Sequence, residues 1–375
     1  KNLDAVDIDG NLDVDGGTIK LDGNYPTGTS NLGFGDNALC SITSGARFNT
    51  AIGNNALCTH TSNDKNTAVG NQALRDNTGG CNTAVGHDSM VSNGAGQCNV
   101  AVGHGSLASN SSGDFNTAVG FNALNSNTTG EPNVAVGNSS LEANTTAGNN
   151  VAVGNQSLCK NTTGSTNSAL GGNSLCANTT GTGNTAVGYD ALLLNTTASN
   201  NTAMGLNAMR ANTTGCKNTA VGDSSLDANT EGCQNAAFGH QSLTSNTTGD
   251  SNTAIGQNAL NANTTADNNT AVGRNALVSN TEGHSNVAVG CGALDANTTA
   301  DENTAVGFKA INKTTTQGGL TAVGWEALGC NTSGSSNVGV GKLALGLNTE
   351  GFNNTFIGFN SGKYNHSRDG SVLIG

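Results

Sequence analysis

Apolar and polar positions alternate within a short block that recurs about every 17 residues along this chain. The block reads Asn-Thr-Ala-Val-Gly-x-x-Ala-Leu-x-x-Asn-Thr-Thr-Gly-x-x, and 20 full units run from Asn31 to Gly370. Such self-similarity is the signature of a solenoid, in which each repeat packs on its neighbours. A unit of this length suits two short strands and two corners. We therefore predict an all-β, parallel β-solenoid of about 20 coils over residues 31–375, in which residues 354–375 are an atypical junction or cap.

Two corners are expected in each unit, numbered here from its opening Asn as position 1. Position 5 is Gly in every unit, from Gly35 to Gly375. Glycine adopts backbone angles that other residues resist, so this position predicts the first corner. The Asn at position 12 and the Gly at position 15, as in Asn127 and Gly130, tolerate left-handed conformations and predict the second corner.

The side of the strand that faces the coil interior is predicted from its apolar positions. Positions 2 and 4 share one face of a strand. Position 4 is always apolar, and position 9 is Leu, Met or Ile in 19 of the 20 units. These patterns predict that positions 4 and 9 line the inside of the coil.

Position 3 then points outward, yet it is Ala in 17 of the 20 units rather than polar. A column of small residues favours the close approach of another chain, by analogy with small-residue contact faces. This interpretation predicts residues that face a three-fold axis: Ala68, Ala118, Ala186, Ala220 and Ala271. The alternative is that Ala fills a narrow coil.

Cysteines fall in matching columns of neighbouring units, as four pairs. These pairs are Cys40 and Cys58, Cys81 and Cys98, Cys159 and Cys176, and Cys216 and Cys233. Adjacent strands lie about 4.8 Å apart, a spacing that a disulfide accepts. Disulfides between coils are therefore one interpretation, and they would indicate a location outside the cytosol. Recent duplication of the units is the other.

Exposed aromatic residues at position 6 are candidate glycan contacts: Phe121, Tyr189, Phe308 and Trp325. They could equally cover a junction to another domain. His87 and His104 share the same position on adjacent units, but a metal needs more ligands than two. We therefore predict no metal site, and we also predict no cofactor.

The Asn-Thr-Thr triplets match the pattern for N-glycosylation, but the predicted corner already explains their Asn. The Thr columns also suggest an ice-binding solenoid. Val replaces the position-2 Thr in several units, which favours burial over a ligand lattice.

Composition and charge narrow the class of protein. Only 11% of residues are charged, 3% are aromatic and the net charge is −12, which disfavours nucleic acid and insertion into a membrane. A tandem repeat also lacks the convergent unlike groups of a catalytic site, so no enzyme is predicted. Residues 1–30 are a separate β-rich lead-in, and a start at Lys1 rather than Met suggests a segment of a longer protein.

The repeat resembles units of tail-fibre proteins from marine bacteriophages, especially phages of cyanobacteria, and is similar to head repeats of trimeric autotransporter adhesins. The matching motif is Asn-Thr-Ala-Val-Gly-x-x-Ala-Leu-x-x-Asn-Thr-Thr-Gly over residues 31–375. The resemblance implies a left-handed β-roll, a homotrimer and an extracellular location on a virion tail fibre or a cell surface. The expected function is a rigid trimeric spacer that carries host attachment, with other tail or fibre proteins as partners. The alternative is a bacterial surface adhesin that binds host glycans through its flank.

Overall fold

The computed structural model describes residues 30–43, 45–59 and 62–375. Within these residues the chain is all-β, with no helix, and forms one parallel sheet of 21 strands. The predicted lead-in, residues 1–30, lies outside the described residues except for Ser30.

Each unit contributes one short strand at positions 2 to 4, which in β7 and β8 also includes position 1, and this strand pairs with those of neighbouring units. Among the described residues the expected second strand is not formed, because the residues after the first corner are in turns. The strands, in chain order, are β1 Leu32–Phe34, β2 Thr50–Ile52, β3 Thr67–Val69, β4 Thr83–Val85, β5 Val100–Val102, β6 Thr117–Val119, β7 Asn133–Val136, β8 Asn150–Val153, β9 Ser168–Leu170, β10 Thr185–Val187, β11 Thr202–Met204, β12 Thr219–Val221, β13 Ala236–Phe238, β14 Thr253–Ile255, β15 Thr270–Val272, β16 Val287–Val289, β17 Thr304–Val306, β18 Thr321–Val323, β19 Val338–Val340, β20 Thr355–Ile357 and β21 Val372–Ile374.

Every pairing is parallel and in register with the repeat, so equivalent positions of successive units lie side by side. Ala186 of β10, for example, pairs with Ala169 of β9 and with Ala203 of β11. The predicted parallel β-solenoid with a 17-residue period is confirmed. Columns of like residues along the axis are the direct consequence.

The first corner forms at position 5, as predicted. Gly239 has φ +135°, and a Cβ placed there would lie 2.7 Å from the carbonyl carbon of Gly256 in the next coil. Only Gly fits, because a side chain would collide with neighbouring backbone.

The left-handed residues of the rest of the coil are not those predicted from positions 12 and 15. Positive φ angles occur instead at positions 7, 9 and 17, as in Asp190 (56°), Leu192 (52°) and Asn200 (62°). A left-handed Leu is unfavourable by about 1–2 kcal/mol. Leu192 is fully buried, and burial of such a side chain contributes about 1.5–3 kcal/mol, which offsets the strain.

The interior of the coil consists of small and amide side chains. Positions 3, 8 and 9 supply an apolar part, with Ala186, Ala191 and Leu192 all at 0% exposure. Positions 1 and 12 supply two columns of buried asparagines, of which Asn184 and Asn195 are examples, also at 0%. A large part of the interior is therefore polar and depends on hydrogen bonds.

The two asparagine columns bind the backbone and each other. Asn184 Oδ1 accepts a hydrogen bond from the backbone N–H of Asn201 at 3.0 Å. Asn195 Nδ2 donates to Asn178 Oδ1 at 2.9 Å in the preceding coil. Both columns converge on one carbonyl, since Asn184 Nδ2 and Asn195 Nδ2 donate to the oxygen of Ala198 at 2.8 and 3.1 Å. We call the position-12 column, which begins at Asn77, the asparagine ladder.

Residues 354–375 continue the same sheet through β20 and β21. Their packing differs, because Phe356 replaces Ala at position 3 and Gly362 replaces Leu at position 9. A Cβ at Gly362 would lie 2.7 Å from Cγ of Phe356. The Phe ring thus fills the volume that Leu occupies in the other coils.

Candidate functional site

An apolar stripe formed by position 4 of the strands follows the sheet from coil to coil. The members of this stripe that are at least a third exposed include Ile52, Val85, Val102, Leu170, Met204, Phe238, Ile255 and Val323. Position 2 lies beside it and is Thr or Val in most units. The prediction that position 4 lines the inside of the coil is therefore wrong, whereas position 9 does lie inside.

The small residues at position 3 lie inside the coil. Ala68, Ala118, Ala186, Ala220 and Ala271 are each 0% exposed in the single chain. They cannot face a partner chain, so the prediction that they contact a three-fold axis is wrong and the narrow-coil alternative holds. The reason is geometric: alternation in a strand that presents positions 2 and 4 outward must turn position 3 inward.

An exposed apolar stripe of this length is unusual on a soluble monomer. Patches that are contiguous and large mark surfaces that contact another protein, a membrane or a ligand. The in-register pairs Phe238 with Ile255 and Ile255 with Val272 make the stripe continuous from coil to coil. A partner that matches it would be long, straight and apolar along one face.

The candidate glycan contacts lie on another edge of the coil, just after the first corner. Phe121 is 51% exposed, Tyr189 56%, Phe308 40% and Trp325 41%. Phe308 and Trp325 occupy adjacent coils, and their rings stack with centroids 6.2 Å apart. Phe121 and Tyr189 belong to distant coils, so the four residues do not form one site.

Two lysines lie over the aromatic pair. Lys309 Nζ is 5.5 Å from the Phe308 centroid, and Lys342 Nζ is 4.9 Å from the Trp325 centroid. Such cation–π contacts hold the rings in place and add positive charge beside an exposed aromatic platform. The arrangement suits a ligand with an apolar ring face and an anionic substituent.

The four cysteine pairs are all placed side by side by the register. A disulfide joins Cys159 to Cys176, with Cα atoms 4.9 Å apart. Sγ of Cys216 lies 3.1 Å from Sγ of Cys233 without a bond, and the Cys40 thiol donates to the Cys58 carbonyl at 3.1 Å. Cys81 and Cys98 are also free thiols.

One thiol of each unbonded pair has reduced acidity. Partial burial, followed by the hydrogen bond with Cys40, raises the pKa of Cys58 to about 11. Burial is also the main cause that raises the pKa of Cys98 and of Cys233, with their column neighbours next. These thiols stay protonated at neutral pH and are poor nucleophiles, because the thiolate is the reactive form.

Most Asn residues of the Asn-Thr-Thr triplets are unsuited to carry glycans. Asn127, Asn161 and Asn195 are fully buried. The Nδ2 atom that would be glycosylated donates to carbonyl oxygens, as Asn161 Nδ2 does to Gly164 at 2.9 Å. The Asn of the Asn-Thr-Thr triplets therefore recurs because it forms the asparagine ladder, and not because it is glycosylated.

Comparison with protein-family models finds no match, and neither does comparison with curated proteins. Among the residues that the structure describes, none forms a helix with the length and apolar character needed to cross a membrane.

Proposed function

We propose that this chain is a rigid trimeric segment of a viral tail fibre, a spacer that carries host-attachment function, with a structural rather than catalytic role. The observation that carries the proposal is the apolar stripe of position 4, whose members are partly exposed and lie side by side in successive strands. Three copies that turn this face toward a common axis would bury it along their whole length. The phage-fibre resemblance of the repeat adds the trimeric state and the extracellular location.

The dimensions of the solenoid suit a spacer. Each coil adds about 4.8 Å along the axis, so about 20 coils span roughly 95 Å. Successive coils are tied by backbone ladders and by buried amide columns, so bending would break many hydrogen bonds together. In a virion, other fibre proteins would be the partners at its ends.

A charge placed in the stripe tests the proposal. Ile255→Lys puts an ammonium group on a side chain that is 42% exposed in the single chain, so the coil should still fold. In a trimer the same change buries three charges at one level, which is strongly unfavourable. We expect light scattering to give about three times 37.1 kDa for the unmodified chain and 37.1 kDa for the variant.

The matched control is Gln257→Lys, two residues away beyond the corner at Gly256, where the side chain is exposed. It should leave the trimer intact. A monomeric unmodified chain, or an Ile255→Lys variant as trimeric as the control, would contradict the assignment of this face to the trimer.

Direct glycan binding is the second candidate function, favoured by the stacked Phe308–Trp325 pair and its two lysines. In this alternative the chain is a bacterial or viral surface adhesin. Aromatic faces pack on the apolar faces of sugar rings, and the lysines would pair with acidic sugars.

The single Trp of the chain is Trp325, so its fluorescence reports on this site alone. If glycans bind here, titration with acidic oligosaccharides should change that fluorescence saturably, and Phe308→Ala should weaken binding about tenfold, or 1.4 kcal/mol. Phe115→Ala, at an exposed Phe in a distant coil, should not. An unchanged fluorescence across a panel of surface glycans would rule out this second function.

A further inference from the structure

Three side chains with metal-binding atoms meet beside the corners that follow β4 and β5. His87 and Asp88 occupy positions 6 and 7 of one coil, and His104 occupies position 6 of the next. The strands pair in register, Val85 with Val102, and this pairing stacks the two imidazoles with centroids 5.1 Å apart and planes 5° from parallel. One ligand atom from each residue lies within 4.8 Å of the others.

The carboxylate of Asp88 makes the arrangement more than a histidine pair. Asp88 has a left-handed backbone, with φ 55°, and its Oδ2 lies 3.0 Å from His87 Nδ1. Ligand atoms about 2.0–2.1 Å from a tetrahedral zinc ion lie about 3.3 Å apart. The His87 and Asp88 atoms form an ion pair at 3.0 Å, so a small opening of this pair would give the separation that two ligands need.

The other carboxylate oxygen has no partner in the described structure. Asp88 Oδ1 is shielded from solvent and makes no hydrogen bond. An unsatisfied buried carboxylate oxygen is unfavourable, and buried charges are normally paired or bound to a metal. A bound cation would neutralise this carboxylate.

The surroundings leave room on the open side. The residue that follows Asp88 in its column is Gly105, so no side chain at that position competes with a cation for the carboxylate. Phe121 stacks on the far side of the His104 imidazole at 5.3 Å. Parallel imidazole planes cannot both contain one ion, so the half-exposed His87 ring must turn out of the stack when the ion binds. His87 and Asp88 are 50% and 32% exposed, so water can complete a coordination sphere.

We propose that His87, Asp88 and His104 form a site for a late first-row divalent cation such as Zn²⁺ or Ni²⁺. Two imidazoles and one carboxylate suit these ions better than Mg²⁺ or Ca²⁺, which prefer oxygen ligands. The ligands come from two successive coils, so the ion clamps them together, as the disulfide between Cys159 and Cys176 does elsewhere along the axis. Sequence reasoning saw the histidine pair but missed Asp88, whose carboxylate is brought back beside His87 by its left-handed backbone.

Calorimetric titration of the full chain with Ni²⁺, under reducing conditions, tests the site. We expect one saturable Ni²⁺ site that disappears in the double variant His87→Ala, His104→Ala. Asp88→Asn keeps an oxygen but loses the charge, and it should weaken binding about tenfold, or 1.4 kcal/mol. Because Ni²⁺ binds the folded chain, it should also raise the melting temperature of the unmodified chain but not that of the double variant.

The matched control is His240→Ala. His240 Nε2 lies 3.8 Å from Asp223 Oδ2 on the adjacent coil, but this pair has no third ligand among the described residues. Ni²⁺ affinity should be unchanged in this control. The proposal is overturned if the unmodified chain binds no Ni²⁺ below millimolar concentration, or if the double variant, shown by circular dichroism to be folded, binds as tightly as the unmodified chain. If His240→Ala lowers the Ni²⁺ affinity as much as the double variant does, the ion does not bind specifically at His87, Asp88 and His104, and the proposal is also overturned.

Discussion

Replacing Asn195 by Asp is expected to destabilise the fold by several kcal/mol. The side chain is fully buried in the asparagine ladder, where its Nδ2 donates to Asn178 Oδ1 and to the carbonyl of Ala198. The aspartate has the same shape, but it presents an oxygen to these two acceptors. Asn178 Oδ1 then loses its donor, which is unfavourable by about 1–3 kcal/mol, whereas the Ala198 carbonyl keeps the hydrogen bond from Asn184 Nδ2. The buried charge adds to this loss. Urea unfolding followed by circular dichroism measures the loss.

The destabilisation should depend on pH in a defined direction. Burial raises the pKa of the introduced carboxyl above its unfolded value of about 3.9. The charge penalty is therefore absent below that pH, grows as the pH rises through the window between the unfolded and folded values, and is complete above the folded value. Unfolding series at several pH values should show this growth.

Two further variants separate the ladder from a general effect of charge. Asn155→Asp changes an exposed position-6 residue, a position where Asp223 already occurs, and should be nearly neutral. The stability of Asn195→Thr should lie between those of Asn195→Asp and Asn155→Asp, because Thr314 takes the place of Asn in the natural ladder. Its hydroxyl accepts from Asn331 Nδ2 at 3.1 Å, but Asn297 Oδ1 is left without a partner. If Asn195→Asp is as stable as Asn155→Asp at neutral pH, the ladder contributes little to the fold.

The sequence predicts the architecture well because the repeat constrains every unit in the same way. Gly at position 5 indicates a corner, and the 17-residue unit is too short for a strand and a helix with two turns, although only one of the two expected strands forms in the described units. In-register stacking then follows from equal unit lengths. These inferences need only the length of the unit and local backbone preferences. Gly188 at the corner and Thr185–Val187 in the strand are examples of such preferences.

The direction of the side chains could not be predicted by ranking hydrophobicity. Val187 is more apolar than Ala186, yet Ala186 is the buried residue. The coil is too narrow for a larger residue opposite Leu192, so size decides the orientation rather than polarity. The buried asparagines were not predicted either, because the Asn at position 12 was interpreted as a turn residue. The recurrence of Asn at position 1, where no turn was predicted, was the available signal.

The last unit, residues 354–370, suggests a test of the conclusion that side-chain size decides which residues lie inside the coil. Ala186→Phe should overpack the coil, with an expected loss of about 1–3 kcal/mol or more, because Leu192 occupies the space that the ring needs. Leu192→Gly should also destabilise, since removal of a buried Leu side chain leaves a cavity and is unfavourable by about 2–5 kcal/mol. The double variant reproduces the pairing of Phe356 with Gly362, and Gly relieves the left-handed strain of Leu192, whose φ is 52°.

We therefore expect the double variant to be more stable than the sum of the two single losses predicts. Contacting residues show coupling of about 0.5–3 kcal/mol, and urea unfolding of the four chains measures it. Light scattering on the same samples keeps stability separate from association, because Ala186 lies inside the coil at 0% exposure and not on the apolar stripe. Strictly additive losses would show that Phe356 does not take the place of the missing Leu. If the unmodified chain is the proposed trimer, its dissociation in a fully folded Ala186→Phe chain would return position 3 to the interface between chains.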